Sequence, residues 1–203
     1  MALHPLRRGL AATALSALAV LVVGLAGPTA AHAATANTLT SYTFQAQSTS
    51  YWCGPAATRL ALTARGYAPA QSTLANALPT DTNGTDSITQ VMRVLNSYAN
   101  VNNWYEHKVI NSNSAAEQNL LQYDITFDID RGYVLVLNVR GGRTDTAGVY
   151  HNYPGGHYLT VVGYSSSGAY AVIEDVALGS GHRYTMSLAN VAWWVWSTTG
   201  YTA

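Results

Sequence analysis

Charge is scarce in this chain of 203 residues: ten Lys plus Arg balance ten Asp plus Glu, so only a tenth of the sequence is charged and the formal net charge is zero. A chain so nearly neutral carries no basic stripe of the kind that nucleic acid or an anionic membrane surface attracts, and neither is an expected partner. Cysteine is scarcer still, with Cys53 alone. No disulfide can therefore close within the chain, and no cysteine pair is there to hold zinc. A G-x-S-x-G elbow is also missing, which disfavours a serine hydrolase. His151 and His157 stand six apart in "HNYPGGH", which reads as a loop and could suggest metal ligation. No third ligand follows at a recognisable spacing, so no metal or other cofactor is expected.

What is present begins with one long apolar run. Arg7 and Arg8 precede apolar residues from about Leu10 to Leu25, followed by Gly27-Pro28 and the small-residue site Ala31-His32-Ala33. These are the charged, apolar and cleavage regions of a secretory signal peptide, and the run is short for the roughly 20 apolar residues of a membrane span. The expectation is a signal peptide at 1–33 and an extracellular mature domain at 34–203 with no membrane anchor. That length suits one domain with its own core. Residues from Ala34 to about Ser41 read as a flexible lead-in.

In an exported protein an unpaired cysteine has three explanations: a buried inert thiol, a disulfide to a second chain, or a nucleophile. Its setting favours the third. In "CGPAATRLALTARG" the apolar residues Ala57, Leu60, Ala61 and Ala64 recur at helical spacing, Pro55 is tolerated in a first turn, and Gly66 suits the C-terminal cap. Cys53 then opens the helix, where the macrodipole favours a thiolate.

A thiolate needs an imidazole partner, a group that orients it, and donors for an oxyanion. Of His107, His151, His157 and His182, the third stands out because it opens the strand-like "HYLTVVGY" after a "YPGG" that reads as a flexible loop. His107 and His182 read as surface or strand-end residues. The following strand, "GAYAVIEDV", ends in Glu174-Asp175, either of which could hold the imidazole, and alternation does not choose between them. Gln47 suits an oxyanion site because its neutral amide donates without disturbing the thiolate; seen alone, it also reads as an ordinary polar loop residue. Trp52 reads as cleft lining or packing, and "NVAWWVW" at 190–196 as core or cleft wall.

Gln47, Cys53, His157 and Asp175, in that order and with five residues between the first two, resemble the papain-like cysteine peptidases. Four segments, "WCGPAA", "NGTDSITQVMRVLN", "DIDRGYVLVLNV" and "GGHYLTVVGY", are similar to the bacteriocin-processing, double-glycine leader peptidases and their secreted stand-alone relatives. Prolines common in those relatives are replaced at Tyr133-Val134 and Asp175-Val176. The resemblance implies a secreted cysteine peptidase acting on a peptide or protein through a thioester acyl-enzyme. It assigns Cys53 as nucleophile, His157 as its partner, Asp175 rather than Glu174 as the orienting group, and Gln47 as oxyanion donor. With no transporter attached, the double-glycine leader is not carried over as substrate. A cell-wall amide hydrolase or transpeptidase on the same scaffold, or a non-catalytic peptide-binding module, is the alternative.

Helices are expected at 53–65, 72–78, 86–98 and 115–130, the last opened by a Ser114-x-x-Glu117 capping box and closed by Gly132. Strands are expected at 133–140, 157–164, 168–175 and 182–188, with turns at 165–168 and 179–181. Helices early and strands late indicate an α+β fold with a mainly antiparallel sheet; the resemblance implies the papain-like arrangement, in which a helical half packs against that sheet with the active site in the groove between.

Overall fold

The structure is a computed structural model. It describes Met1 and residues 35–203 apart from 178, 180 and 197, so the expected signal peptide lies outside the described residues. The chain runs β1 (Asn37–Thr38), α1 (Cys53–Ala64), α2 (Gln71–Ala77), α3 (Ile88–Asn96), β2 (His107–Lys108) and α4 (Ala115–Ile129). It continues through β3 (Leu135–Thr144), β4 (Tyr150–Ser165), β5 (Tyr170–Glu174), β6 (Arg183–Ser187), α5 (Leu188–Val195) and β7 (Tyr201–Thr202). The strands form one antiparallel sheet in the order β2-β7-β3-β4-β5-β6, with β1 paired to β4.

Side-chain alternation along the central strands builds two cores. Val134, Val136, Tyr158 and Val162 face α1 to α3, whereas Leu135, Leu137, Val139, Leu159 and Val161 face α4 and α5. The α+β architecture is thus the expected one, with the sheet covered on both faces rather than by a single helical half. Apolar residues on one stripe explain the placement: Ile88, Val91, Val94 and Leu95 are the buried side of α3, which Ser87 caps by accepting from Thr89 N. The serine half of the expected capping box also forms, as Ser114 accepts from the Glu117 N–H.

Three departures have local causes. The "YPGG" segment is part of β4, not a loop: Val139 faces His157 and Gly141 faces Tyr153, so β4 spends four residues where β3 spends two. Proline and glycine mark bulges as readily as turns, and here they bend a strand without ending it. The 190–196 stretch forms most of α5, capped by Ser187 and with Trp194 fully buried. The supposed lead-in contributes β1, which pairs antiparallel with β4 at Gly163; a Cβ there would lie 2.7 Å from the Asn37 carbonyl oxygen. The β4–β5 pairing shifts register between Val161 and Gly163, which turns Tyr164 into the α4 core.

Candidate active site

Cys53 is the first residue of α1, whose N-terminus lies over β4. Helix termini leave the first N–H groups without intrahelical acceptors, and Pro55 at the third position gives up a donor the helix would not use. Gly54 is required by close approach, since a Cβ there would lie 2.2 Å from Thr85 Oγ1. Thr85 can therefore close against the helix start, and residues 83–86 become a wall of the cleft.

His157 is buried on β4 and holds the centre of the arrangement. Its Nε2 bonds Asp175 Oδ1 at 2.8 Å, which leaves Nδ1 for the Cys53 sulfur. The β4–β5 register, Thr160 opposite Glu174, brings Asp175 diagonally beside His157 at the strand end. Burial alone would push the Cys53 thiol up, but the hydrogen bond and charge of His157, with backbone N–H bonds from Tyr158 and Gly54, leave it below its ordinary value. Burial would likewise lower His157, yet Asp175 and the sulfur carry it up to about 9. Both shifts favour a thiolate–imidazolium pair. Cys53, His157 and Tyr158 line a cleft of about 450 Å³ with Asn83, Asp86 and Arg140.

A cleft holding a cysteine at a helix start and a histidine on the facing strand agrees with comparison to known proteins. The model of the Peptidase_C39 like family matches residues 39–203. The chain belongs to the Peptidase_C39 like family. It is a cysteine-type peptidase. No curated protein sequence matches it. Among solved structures, the peptidase domain of Streptococcus ComA, a bi-functional ABC transporter involved in a quorum sensing pathway, is similar with 18% identity and a TM-score of 0.50. The alignment covers 79% of this chain and 95% of that one. A putative C39-like peptidase from Bacillus anthracis is similar with 12% identity and a TM-score of 0.55, over 82% of this chain and 96% of that one. These likenesses concern the fold, which is the α+β one of C39 peptidase domains.

Within this C39-like peptidase, Asp175 is fully buried and held by more than His157. Tyr153 Oη donates to Asp175 Oδ2 at 2.6 Å, Tyr184 Oη to the same oxygen at 2.9 Å, and Ala177 N to Oδ1 at 3.0 Å. Burial pushes this carboxyl up, but His157 and the other donors bring it below the usual carboxylate value. Tyr153 also stacks on the His157 ring, with centroids 4.1 Å apart. Sequence reasoning missed both tyrosines. The position of Tyr153 depends on the β4 bulge, and that of Tyr184 on the pairing of β5 with β6, where it faces Ile173. Tyr153→Phe keeps the stacked ring but removes a donor to a buried anion, at an expected cost of about 1.5–3 kcal/mol of stability. Urea unfolding at neutral pH checks it; an unchanged midpoint would mean the hydroxyl contributes nothing.

The remaining candidates are placed as follows. Glu174 accepts from Tyr42, His182 and Arg183 and does not meet His157. His151 pairs with Asp145 at 3.0 Å and stacks on Tyr184, so the two histidines of "HNYPGGH" have separate partners. His107 bonds the Thr199 carbonyl and His182 stacks on Phe44. Trp52 lines a separate depression with Gln45, Arg59 and Gln71. Gln47 is tied through its main-chain N–H to the Val176 carbonyl, one residue beyond Asp175. Its side-chain amide gives one hydrogen to the Thr49 carbonyl at 2.8 Å. The second amide hydrogen is left for another acceptor.

Proposed function

We propose that this peptidase is exported and hydrolyses peptide bonds of peptides or proteins through a thioester acyl-enzyme, with Cys53, His157 and Asp175 as its triad. The observation that supports this most is the buried His157 ring, which bonds Asp175 through Nε2 and acts on the Cys53 sulfur through its other side. The Cys53 thiolate attacks the scissile carbonyl carbon. The resulting oxyanion takes hydrogen bonds from the Cys53 main-chain N–H and the free amide hydrogen of Gln47. His157 Nδ1–H protonates the departing amine as the C–N bond breaks, leaving a thioester on Cys53. The now neutral His157 removes a proton from water, which attacks the thioester. Collapse then releases the carboxylic product and restores the thiolate and imidazolium. Asp175 keeps the ring oriented and stabilises its charge without taking up the proton itself.

Incubation of the purified domain with a peptide library should give cleavage that Cys53→Ala abolishes. Activity on cell wall alone would overturn the peptide assignment. Export rests on the charged, apolar and small-residue segments of the N-terminus. N-terminal sequencing of the extracellular protein should start at Ala34, and an intact Met1 on extracellular protein would refute cleavage.

A further inference from the structure

The buried stripe of α4 is not purely apolar. Leu121, Ile125 and Ile129 share it with Asp124 and Asp128, which are one turn apart and only 6% and 2% exposed. The donors that reach these carboxylates are neutral: the Tyr201 hydroxyl to Asp124 Oδ2 at 2.7 Å, and the Trp104 indole N–H to Asp128 Oδ1 at 3.2 Å. Asp128 Oδ2 is buried and has no hydrogen-bond partner among the described residues. The neighbouring cations bond other acceptors, although Lys108 lines the same cavity and its charge acts on both carboxylates. Lys108 Nζ pairs with Glu106 at 2.7 Å, while the Arg131 guanidinium lies over the Phe127 ring at 3.5 Å and donates to the Phe127 carbonyl. Two carboxylates held from water without a bonded counter-charge are costly to keep ionised.

A cavity of about 260 Å³ lies beside them, lined by both carboxylates, by the Lys108–Glu106 pair and by Trp104, Tyr123 and Phe127. Phe127 lies between the other two rings, at 6.0 Å from Trp104 and 5.4 Å from Tyr123, and all three are close to parallel. Aromatic faces attract cations, most strongly where water is excluded. Among the described residues no three His, Cys, Asp or Glu side chains converge to hold a metal ion. The cavity shares no lining residue with the Cys53 cleft.

We propose that this cavity binds an organic cation, an alkylammonium of the kind a lysine side chain carries, with its charge against Asp124 and Asp128 and its methylenes against the aromatic rings. The carboxylates supply the missing pairing, and the apolar wall selects a carbon chain over a hydrated inorganic ion. Such a group can come from a free amine or from a lysine on a polypeptide.

Calorimetric titration of the full chain carrying Cys53→Ala tests the site without turnover of any probe and without reference to the peptidase mechanism. The probes are n-butylammonium, Nα-acetyl-lysine methylamide, a short lysine-containing peptide, and Nα-acetyl-norleucine methylamide as the uncharged isostere. The cationic probes should bind at least about tenfold more tightly than the isostere, and Asp124→Asn and Asp128→Asn should each remove that preference, the loss expected for a charge-assisted contact. Thermal unfolding establishes that each variant is folded, and asparagine keeps an oxygen acceptor for Tyr201 or Trp104. Affinity should also rise with pH through about 7, where burial places the Asp128 carboxyl, because a bound cation favours the ionised form. The titratable and charged groups facing Asp128 are Asp124 and Arg131 on or beside its own helix, Glu106 and Lys108 across the cavity, and the Tyr105 and Tyr201 hydroxyls. Preference for the free amine or for the lysine peptide identifies the source. Equal binding of lysine and norleucine probes, or full binding by folded Asp124→Asn, would overturn the proposal.

Discussion

His157→Ala is expected to reduce peptide hydrolysis by about a thousandfold, within the range seen when a positioned acid–base group is removed. Two losses combine. The leaving amine no longer receives a proton from the imidazolium, and the Cys53 thiol loses the group that most opposes the effect of its burial. The second loss can be read without any substrate. Near neutral pH, iodoacetamide should alkylate Cys53 more slowly in the variant than in the wild type, because burial then acts on the thiol with less opposition. Wild-type activity should decline on the alkaline side as His157 loses its proton near about 9. Its folded value lies above the ordinary 6.5, so its share of stability is complete below about 6.5 and is lost as pH rises through about 9. Equal alkylation rates in variant and wild type would remove the electrostatic basis of the mechanism.

Asp175→Ala is expected to be the most destabilising single change at the site, at about 3–5 kcal/mol, the usual cost of removing one member of a buried charged pair. The deletion leaves the Tyr153 and Tyr184 hydroxyls, the Ala177 N–H and the His157 ring without their common acceptor in the interior. Urea denaturation measures the loss, and a midpoint within error of wild type would show that water replaces the carboxylate. Asp175→Asn separates positioning from charge. It keeps an acceptor for His157, so it should unfold later than the alanine variant while still losing activity, because it no longer stabilises the imidazolium.

Several elements were legible before any coordinates. Helical spacing after Cys53, the Ser114 capping box and the apolar strands placed α1, α4 and the centres of β3 to β5, because each depends on residues close in sequence. The α+β class followed from their order. The reach of β4 was hidden, since Pro154, Gly155 and Gly156 carry the same local signal in a bulge as in a loop. The α5 helix was hidden for a related reason: "AWWV" is apolar on every side, so no amphipathic stripe announces it.

The site divides along the same line. The sequence determined which residue can be ionised at a helix start, because a lone cysteine followed by Gly-Pro and a helical repeat is a local pattern. Only the tertiary structure decided which carboxylate meets His157. Glu174 and Asp175 are neighbours, and it is the antiparallel register of β5 against β4 and β6 that sends one to Tyr42, His182 and Arg183 and the other to His157. Pairing between strands is a long-range choice made by the whole core, and a shift of one residue in it would have exchanged the two carboxylates.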